Sequence, residues 1–390
     1  MSCPVGMGRL RSAAGIGLAA LLLCSMGCSP NGNIGPPSGI SGRIAFISAV
    51  NDSDDVRVTV EGGTSVSALT NHEQWTLASY LTPSPDATKL AYLRLVYSDP
   101  PPHHWEARES HDLCVVDADG TDPQVLTAVP DTCSSTIAWS PEGDRVAFSG
   151  SQGIACVDLD GGQVVGLTSD AGDYGPVWSP DGSHIAFLNW TAETSATGQG
   201  RSGTTARQMD AATYQVCVMN EDGTGRVPIS NAVNDRAMPD PMTDLAWSPD
   251  GSKLAYVECV IPGWTMNGPW IDHSDIHVAS MDGMTDTNLT SDAGDDRYPA
   301  WSPDGTRLVF ARNEQLYAMS ASGSGASALT DSGAPSDVTS PVFSSDGQSI
   351  AFLASSGDDG TDIFVASADG SELYRLTTDE APKHDLLWLP

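Results

Sequence analysis

The chain has 390 residues and carries 50 acidic against 18 basic side chains, a formal net charge of −32 at pH 7. Such an acidic surface repels phosphate backbones and argues against a nucleic-acid partner, whereas basic proteins and divalent cations remain candidates. The length suffices for two average domains or for one long array of repeats.

Residues 1–27 have the organisation of an export signal. Arg9 and Arg11 precede an apolar run over residues 13–23, and small residues follow that run. A basic start, a short apolar run and small residues indicate a secretory signal peptide rather than a helix that spans a membrane.

The letters "SMGC" at the end of this segment resemble a bacterial lipobox. The resemblance implies cleavage after Gly27 and a lipid on Cys28, although Ser25 stands where lipoboxes usually carry Leu. Because Ser29 rather than Asp follows the cysteine, it also implies an outer-membrane lipoprotein that faces the periplasm or the cell surface, with plain secretion as the alternative. Residues 28–41, rich in Pro, Gly, Ser and Asn, are predicted to be the lipidated Cys and a flexible tether.

Seven repeats follow within residues 42–390. Each contains a segment built around "AF", "AY" or "VF", then a segment that usually ends in a turn such as "DADG", and most continue to a short piece ending in "LT". The letters "WSPDG", or a variant of them, usually stand before the first segment. Short pieces rich in Val, Ile, Leu, Tyr and Phe between Gly-, Asp- and Pro-rich turns predict β-strands in tight hairpins.

Four strands in a repeat of roughly 40–45 residues predict the blades of a β-propeller. We therefore expect an all-β fold over residues 42–390, a seven-bladed β-propeller of four-stranded antiparallel blades. Six complete first strands precede seven second strands, and the C-terminal "DLLWLP" (385–390) supplies the missing one. Its pairing with residues 44–47 is predicted to close the ring and to remove two open sheet edges.

The succession of "WSPDG", "IAF", "DADG" and "LT" resembles the TolB-type, WD-repeat-like β-propeller of the bacterial envelope, and also the propeller of prolyl oligopeptidase-type peptidases. TolB proteins have an extra N-terminal domain and six blades, so this chain departs from them in both respects. The resemblance implies a non-enzymatic cell-envelope lipoprotein. Its propeller would bind an envelope protein or peptide, and it would contact the membrane only through its N-terminal lipid.

The ten Trp residues fall into two groups of five. One group stands at the repeated position and is predicted to pack blade against blade. Its members are Trp139, Trp178, Trp247, Trp301 and Trp388. The other group lies, with most of the histidines, near the connections between the second and third strands or between blades.

In an up-and-down blade, the "SPDG" and "DADG" turns share one face, which we name the short-turn face. The connections between second and third strands and between blades share the opposite, loop-rich face. The long insertions 94–111, 189–214 and 258–274 all lie on the loop-rich face, and insertions on one face of a repeat array usually mark the binding face. Local packing of each Trp is the alternative. The candidate ligand-binding residues are Trp75, His103, His104, Trp105, Trp190, Trp264, Trp270 and His273.

The chain has no nucleophile elbow, zinc-protease motif or phosphate-binding loop, so no catalytic residue, metal ligand or cofactor is predicted. The alternative function is a metal-assisted, carbohydrate-active, lyase-like enzyme or another hydrolytic propeller enzyme, because some pectin-degrading lyases are propellers of this type with a His-bound metal. A metal held by His72, His103 and His104, and a divalent cation at acidic turns such as "DADGTD" (117–122), are further alternatives.

Five cysteines follow Cys28, and an exported protein can form disulfides. The odd number leaves at least one of them free, and small buried side chains on strands are the alternative for some of them. The sequence leaves open the pairing among Cys114, Cys133, Cys156, Cys217 and Cys259.

Overall fold

The fold is described from a computed structural model of the chain. The predicted signal peptide and tether, with Cys28, lie outside the described residues. These are 42–50, 52–59, 65–97, 108–129, 136–160, 163–193, 211–231, 233–235, 244–260, 263–265, 268–270, 273–291, 294–330, 335–355, 360–379 and 381–389.

Seven antiparallel sheets form seven blades of four strands each, with one additional short strand in blade 4, which confirms the predicted all-β propeller. Strands are numbered in chain order, and the strands of each blade are named from the inside of the ring outward. Blade 1 consists of β31 (Lys383–Leu389), β1 (Arg43–Val50), β2 (Ser53–Thr59) and β3 (Val66–Ala68). Blade 2 consists of β4 (Thr76–Pro83), β5 (Lys89–Tyr97), β6 (Arg108–Asp117) and β7 (Gln124–Ala128). Blade 3 consists of β8 (Ile137–Trp139), β9 (Arg145–Gly150), β10 (Gly153–Asp158) and β11 (Val164–Gly166).

The remaining blades follow the same order. Blade 4 consists of β12 (Asp173–Trp178), β13 (His184–Glu193), β14 (Ala211–Asn220) and β15 (Val227–Pro228), with β16 (Val233–Asp235) also paired to β14. Blade 5 consists of β17 (Ala246–Trp247), β18 (Lys253–Val260), β21 (His273–Ser280) and β22 (Asp286–Asn288), with a hairpin of β19 (Gly263–Thr265) and β20 (Gly268–Trp270) between β18 and β21. Blade 6 consists of β23 (Asp296–Trp301), β24 (Arg307–Arg312), β25 (Gln315–Ser320) and β26 (Ser327–Ala328). Blade 7 consists of β27 (Ser336–Phe343), β28 (Ser349–Ser355), β29 (Thr361–Ser367) and β30 (Leu373–Arg375).

The C-terminal strand closes the ring as the sequence predicts. Strand β31 pairs antiparallel with β1, with Leu389 opposite Arg43 and Leu387 opposite Ala45. Seven separate clusters of buried apolar side chains each join two neighbouring blades. A linear array of seven blades has only six such junctions. The seventh cluster, in which Leu353 of blade 7 meets Phe46 of blade 1, therefore marks a closed ring.

The repeated Trp residues lie at these junctions. In three blades the indole N–H donates to a main-chain oxygen on the innermost strand of the preceding blade, at 3.0–3.1 Å. The pairs are Trp139 with Thr82, Trp247 with Val177, and Trp301 with Ala246. Trp178 and Trp388 belong to the clusters between blades 3 and 4 and between blades 7 and 1. Each ring thus fills a junction, and the indoles of Trp139, Trp247 and Trp301 also hydrogen-bond across it.

The "SPDG" turns have a common internal hydrogen-bond pattern. The Ser179 hydroxyl donates to Asp181 at 2.6 Å, and Asp181 accepts the main-chain N–H of Ser183 at 3.0 Å. These bonds, the one from Ser179 first, lower the pKa of Asp181 to about 2. Gly182 has a φ of 74°, and a Cβ there would lie 3.6 Å from Pro141 in the turn of the preceding blade. Successive turns therefore lie against one another on the short-turn face.

The Thr of the "LT" sequence hydrogen-bonds the end of the outermost strand to the third strand of the same blade. The hydroxyl of the Thr accepts a hydrogen bond of 2.8–3.2 Å from the main-chain N–H of the third-strand residue fourteen positions earlier. In blade 4, Ser230 takes the place of this Thr. Blade 2 departs from the pattern, because a register shift between Leu113 and Cys114 moves Thr127 away from that position. The six pairs are Thr70 with Val56, Thr168 with Ile154, Ser230 with Val216, Thr290 with Ile276, Thr330 with Leu316, and Thr377 with Ile363.

Parts of the predicted insertions are strand rather than loop. Strands β13 and β14 remain paired from His184 opposite Asn220 to Glu193 opposite Ala211, and β5 and β6 remain paired as far as Tyr97 opposite Arg108. The β13–β14 ladder simply continues past the repeat, residue for residue, whereas the β5–β6 ladder continues with a register shift between Val96 and Tyr97.

Four of the five cysteines have described positions, and all four are buried on strands. Cys114, Cys156 and Cys217 are free thiols, and burial raises their pKa to about 11, 12 and 11 respectively. Cys259 is buried near the end of β18, and Cys133 lies outside the described residues.

Deletion of residues 385–390 tests ring closure. The deletion removes Leu386, Trp388 and Leu389, all buried, and should lower the free energy of unfolding by more than ~5 kcal/mol, because each large core side chain contributes about 2–5 kcal/mol. Thermal unfolding followed by circular dichroism measures the effect, with the exposed Val125→Ala as control. An unchanged melting curve would mean that the ring closes in another way.

Thr290→Val tests the role of the "LT" hydroxyl. The buried N–H of Ile276 would lose its acceptor, so we expect a loss of about 1–3 kcal/mol. Thr287→Val is the matched control, because Thr287 lies on the neighbouring strand β22 with its side chain exposed. Equal urea midpoints for the two variants would show that the hydroxyl contributes nothing.

Candidate binding face

The two faces of the propeller differ in regularity. On the short-turn face, the "SPDG" and "DADG" turns repeat with nearly the same hydrogen bonds from blade to blade. On the loop-rich face, the longest hairpins belong to blades 2, 4 and 5, where β5–β6, β13–β14 and β18–β21 have strands of 8–10 residues. The corresponding strands of blades 3 and 6 have 6 residues each.

The structure brings two of the candidate Trp residues together. Trp264 lies on β19 and Trp270 on β20, in one small hairpin in which Trp264 stands opposite Pro269. His273 begins β21, shortly after this hairpin, and its Nε2 atom lies 3.7 Å from a carboxylate oxygen of Asp275. His103, His104 and Trp105 lie outside the described residues.

Trp75 and Trp190 lie on other blades and are half-buried. Trp75 precedes β4 with a φ of 69°, held by its N–H bond to the Asp52 oxygen (3.0 Å) and by the Tyr97 N–H bond to its own oxygen (3.1 Å). Trp190 packs against the cluster between blades 4 and 5, and its N–H donates to the Gly172 oxygen at 2.9 Å. These contacts show local packing for Trp190, and Trp75 is fixed through its backbone.

A group of polar residues joins blades 1 and 2 on the loop-rich face. We name it the junction cluster, and it consists of Asp54, Asp55, His72, His384 and Asp385. Asp54 accepts the N–H of Ala78 at 3.1 Å, and Asp385 accepts the N–H of Tyr80 at 2.9 Å, so both carboxylates of blade 1 hold strand β4 of blade 2. Sequence reasoning did not single out these carboxylates. The available signals were the adjacent acids at 54–55 and the Asp that opens "DLLWLP".

Both ring nitrogens of His72 are engaged within the junction cluster. Nδ1 lies 2.6 Å from the Asp54 main-chain oxygen, and Nε2 lies 3.2 Å from the Tyr92 hydroxyl. The His72 main-chain N–H also donates to Asp55 at 2.8 Å. In this arrangement His72 packs as a structural side chain rather than presenting a nitrogen for a metal.

His384 lies between two carboxylates. Its Nδ1 atom is 3.0 Å from Asp385, and its Nε2 atom is 3.7 Å from Asp54. Burial by itself lowers the pKa of His384, but the interactions with Asp385 and Asp54 outweigh burial and raise the pKa to about 9. The imidazole is therefore positively charged at neutral pH and attracts the carboxylates of blade 1.

The neighbouring Lys383 is buried and connects the closing strand to blade 7. Its ammonium group lies 3.2 Å from Asp362 and donates to the Ala381 oxygen at 2.7 Å. Asp362 is buried too, and it also pairs with Arg375. Two adjacent cations at the start of β31 thus face acids from two different blades.

Within the described part of the chain, no group of three or more His, Cys, Asp or Glu side chains is arranged to hold a metal ion. The "DADGTD" segment forms a hairpin turn, in which Asp119 accepts both the N–H (2.9 Å) and the hydroxyl (2.6 Å) of Thr121. Among the described residues, no helix has the length and apolar character needed to cross a membrane.

Residues 203–381 match the family described as the TolB beta propeller domain. Over 118 residues the chain is 33% identical to the Tol-Pal system protein TolB of Anaeromyxobacter dehalogenans, a match that covers 29% of this chain and 25% of that protein. The chain thus carries a TolB-type β-propeller domain.

This TolB-type propeller is also similar to proteins with other names. It is 34% identical over 128 residues to an uncharacterized peptidase of Bacillus subtilis, YuxL, covering 30% of this chain and 18% of the peptidase. Its fold is similar to oligogalacturonate lyase from Vibrio parahaemolyticus, with a TM-score of 0.53, 14% identity and coverage of 83% and 86% of the two chains. That identity shows the fold alone. The chain spans 18% to 53% of the length of the curated relatives it matches.

The raised pKa of His384 predicts a pH dependence. Because the folded-state pKa is above the ordinary value near 6.5, the stabilisation by His384 is fully present below about pH 6.5 and is lost as the pH rises through about 9. The difference in unfolding free energy between the native chain and His384→Gln should therefore shrink over this window. Urea titrations at a series of pH values measure it, and a difference that grows with pH would contradict the assignment.

Proposed function

We propose that the chain is a non-enzymatic cell-envelope lipoprotein, attached to the outer membrane through the lipid on Cys28, whose propeller binds a protein or peptide across the loop-rich face. The observation that carries the proposal is the difference between the two faces. The repeated residues of the short-turn face are engaged within and between blades, whereas the extended hairpins all lie on the other face.

Three further observations support this proposal. The match to the TolB beta propeller domain favours a propeller that binds protein partners. The segment 1–27 has the pattern of an export signal, which favours the envelope. The net charge of −32 favours a partner with a basic surface, since opposite charges accelerate encounter and exclude acidic competitors.

The tryptophans of blade 5 are the strongest candidates for contact with the partner. Trp264 and Trp270 share one hairpin within the insertion 258–274, and Trp is enriched among residues that dominate binding energy. The lyase-like alternative is supported by a similarity of fold. Among the described side chains, however, no group is arranged to hold a metal ion.

A pull-down from detergent-solubilised envelope tests the proposal with the full chain as bait. A variant with Trp105, Trp264 and Trp270 changed to Ala should recover at least tenfold less of the partner, because loss of a central aromatic anchor costs about 2 kcal/mol or more. Met284→Ala is the matched control, since Met284 is 83% exposed in a turn of the short-turn face.

Equal recovery of the same partner by the triple variant and by the native chain would refute binding through this face. Recovery lost equally in Met284→Ala would place the contact on the short-turn face instead.

A further inference from the structure

Two acidic residues face each other across the central strands of blade 5. Glu258 of β18 stands directly opposite Asp275 of β21. Like charges directly opposite in an antiparallel pair are destabilising. Asp275 is also 4% exposed, and its Oδ1 atom is buried without a hydrogen-bond partner. A buried carboxylate oxygen without a donor is costly, so this pair lacks a component that would complete it.

Blade 2 shows what the complete arrangement contains. At the same register position, Arg94 of β5 stands opposite Asp112 of β6 and its guanidinium donates to that carboxylate at 2.8 Å. Blade 5 has the buried Asp at this position, but Glu258 replaces the arginine. The carboxylate pair is thus the blade 2 ion pair with the positive charge removed.

The other blades with a buried Asp at this position also supply a partner from the chain itself. In blade 7, Asp362 pairs with Lys383 and Arg375. In blade 1, Asp55 accepts hydrogen bonds from the Thr70 hydroxyl and the His72 N–H. Among these described blades, blade 5 therefore stands out by placing a second acid against the Asp.

The groups around the pair supply no hydrogen-bond donor to the Oδ1 atom of Asp275. Asn288 donates to Asp275 Oδ2 at 2.7 Å, and His273 lies 3.7 Å from the same oxygen, so both act on Oδ2 and not on Oδ1. His277 lies 3.4 Å from Glu258, and it is shared with Asp286, also at 3.4 Å.

The negative charge of Glu258 is only partly balanced by its surroundings. Burial raises the pKa of Glu258, the nearby Asp286 and Asp275 raise it further, and His277 opposes them without restoring the ordinary value. The Glu258 side chain nevertheless keeps 26% of its surface exposed, so a cation can approach the pair from its side.

We propose that Glu258 and Asp275 form a subsite for the guanidinium group of an arginine side chain in the bound partner. The incoming group takes the place that Arg94 occupies in blade 2, and its planar donors suit two carboxylates. The inference rests on the proposed function, because the partner supplies the arginine, and it adds to that function the chemistry of one contact on the loop-rich face.

Isothermal titration of the full-length chain in detergent tests the subsite with small probes. N-acetyl-L-arginine amide should bind, whereas N-acetyl-L-citrulline amide, a neutral molecule of nearly the same shape, should not. Glu258→Gln should weaken binding of the arginine probe by about tenfold or more, because one charged partner is lost. Glu142→Gln, which removes one exposed acid from the short-turn face, should leave the affinity unchanged.

A second variant guards against a folding artefact. Glu258→Arg recreates the blade 2 pair within the chain, so it should abolish binding of the arginine probe while raising the midpoint of thermal unfolding. Equal binding of the two probes, no binding of the arginine probe to the native chain, or an unchanged affinity in Glu258→Gln overturns the subsite.

The failure of the subsite and the failure of the proposed function are distinguishable. If the arginine probe fails but the native chain still captures an envelope partner through the tryptophan hairpin, the subsite is wrong and the proposed function stands. If the probe binds through Glu258 but no envelope partner is captured, the subsite stands and the proposed function is wrong.

Discussion

The antiparallel pairing of β31 with β1 is the contact on which the rest of the structure depends, because it turns a row of blades into a ring. Each blade buries its apolar faces only against its two neighbours, so a row would leave two of those faces open to water. The paired strands place Trp388 in the junction between blades 7 and 1, and Leu389 in the junction between blades 1 and 2. Lys383 and His384 add ionic contacts at the start of the same strand.

The repeated sequence is best understood as a set of contacts that build this ring. Trp reaches the preceding blade, Pro and Gly of successive "SPDG" turns lie side by side, and the Thr of "LT" holds the outermost strand. A residue engaged in this way has little freedom to change. The variation among blades is therefore concentrated in the hairpins of the loop-rich face, where an insertion disturbs none of these contacts.

The ring was predictable because its determinants recur. Seven copies of one pattern predicted the strands, the turns and the place of "DLLWLP", and the resemblance to TolB-type propellers rests on the same letters. The junction cluster was not predictable in this way, since Asp385 and Tyr80 meet across 305 positions of sequence and occur once. The Glu258–Asp275 pair likewise depends on strand register, and only comparison with Arg94 and Asp112 shows that a positive charge is missing.

Ring closure is the central claim, because both the stability of the blades and the fixed geometry of the loop-rich face follow from it. Hydrogen–deuterium exchange of the full-length chain, read by mass spectrometry, tests it most directly. If β31 closes the ring, the amides of residues 383–389 should exchange as slowly as those of the central strands β18 and β24. Rapid exchange of residues 383–389, with those central strands still protected, would contradict a ring closed by this pairing.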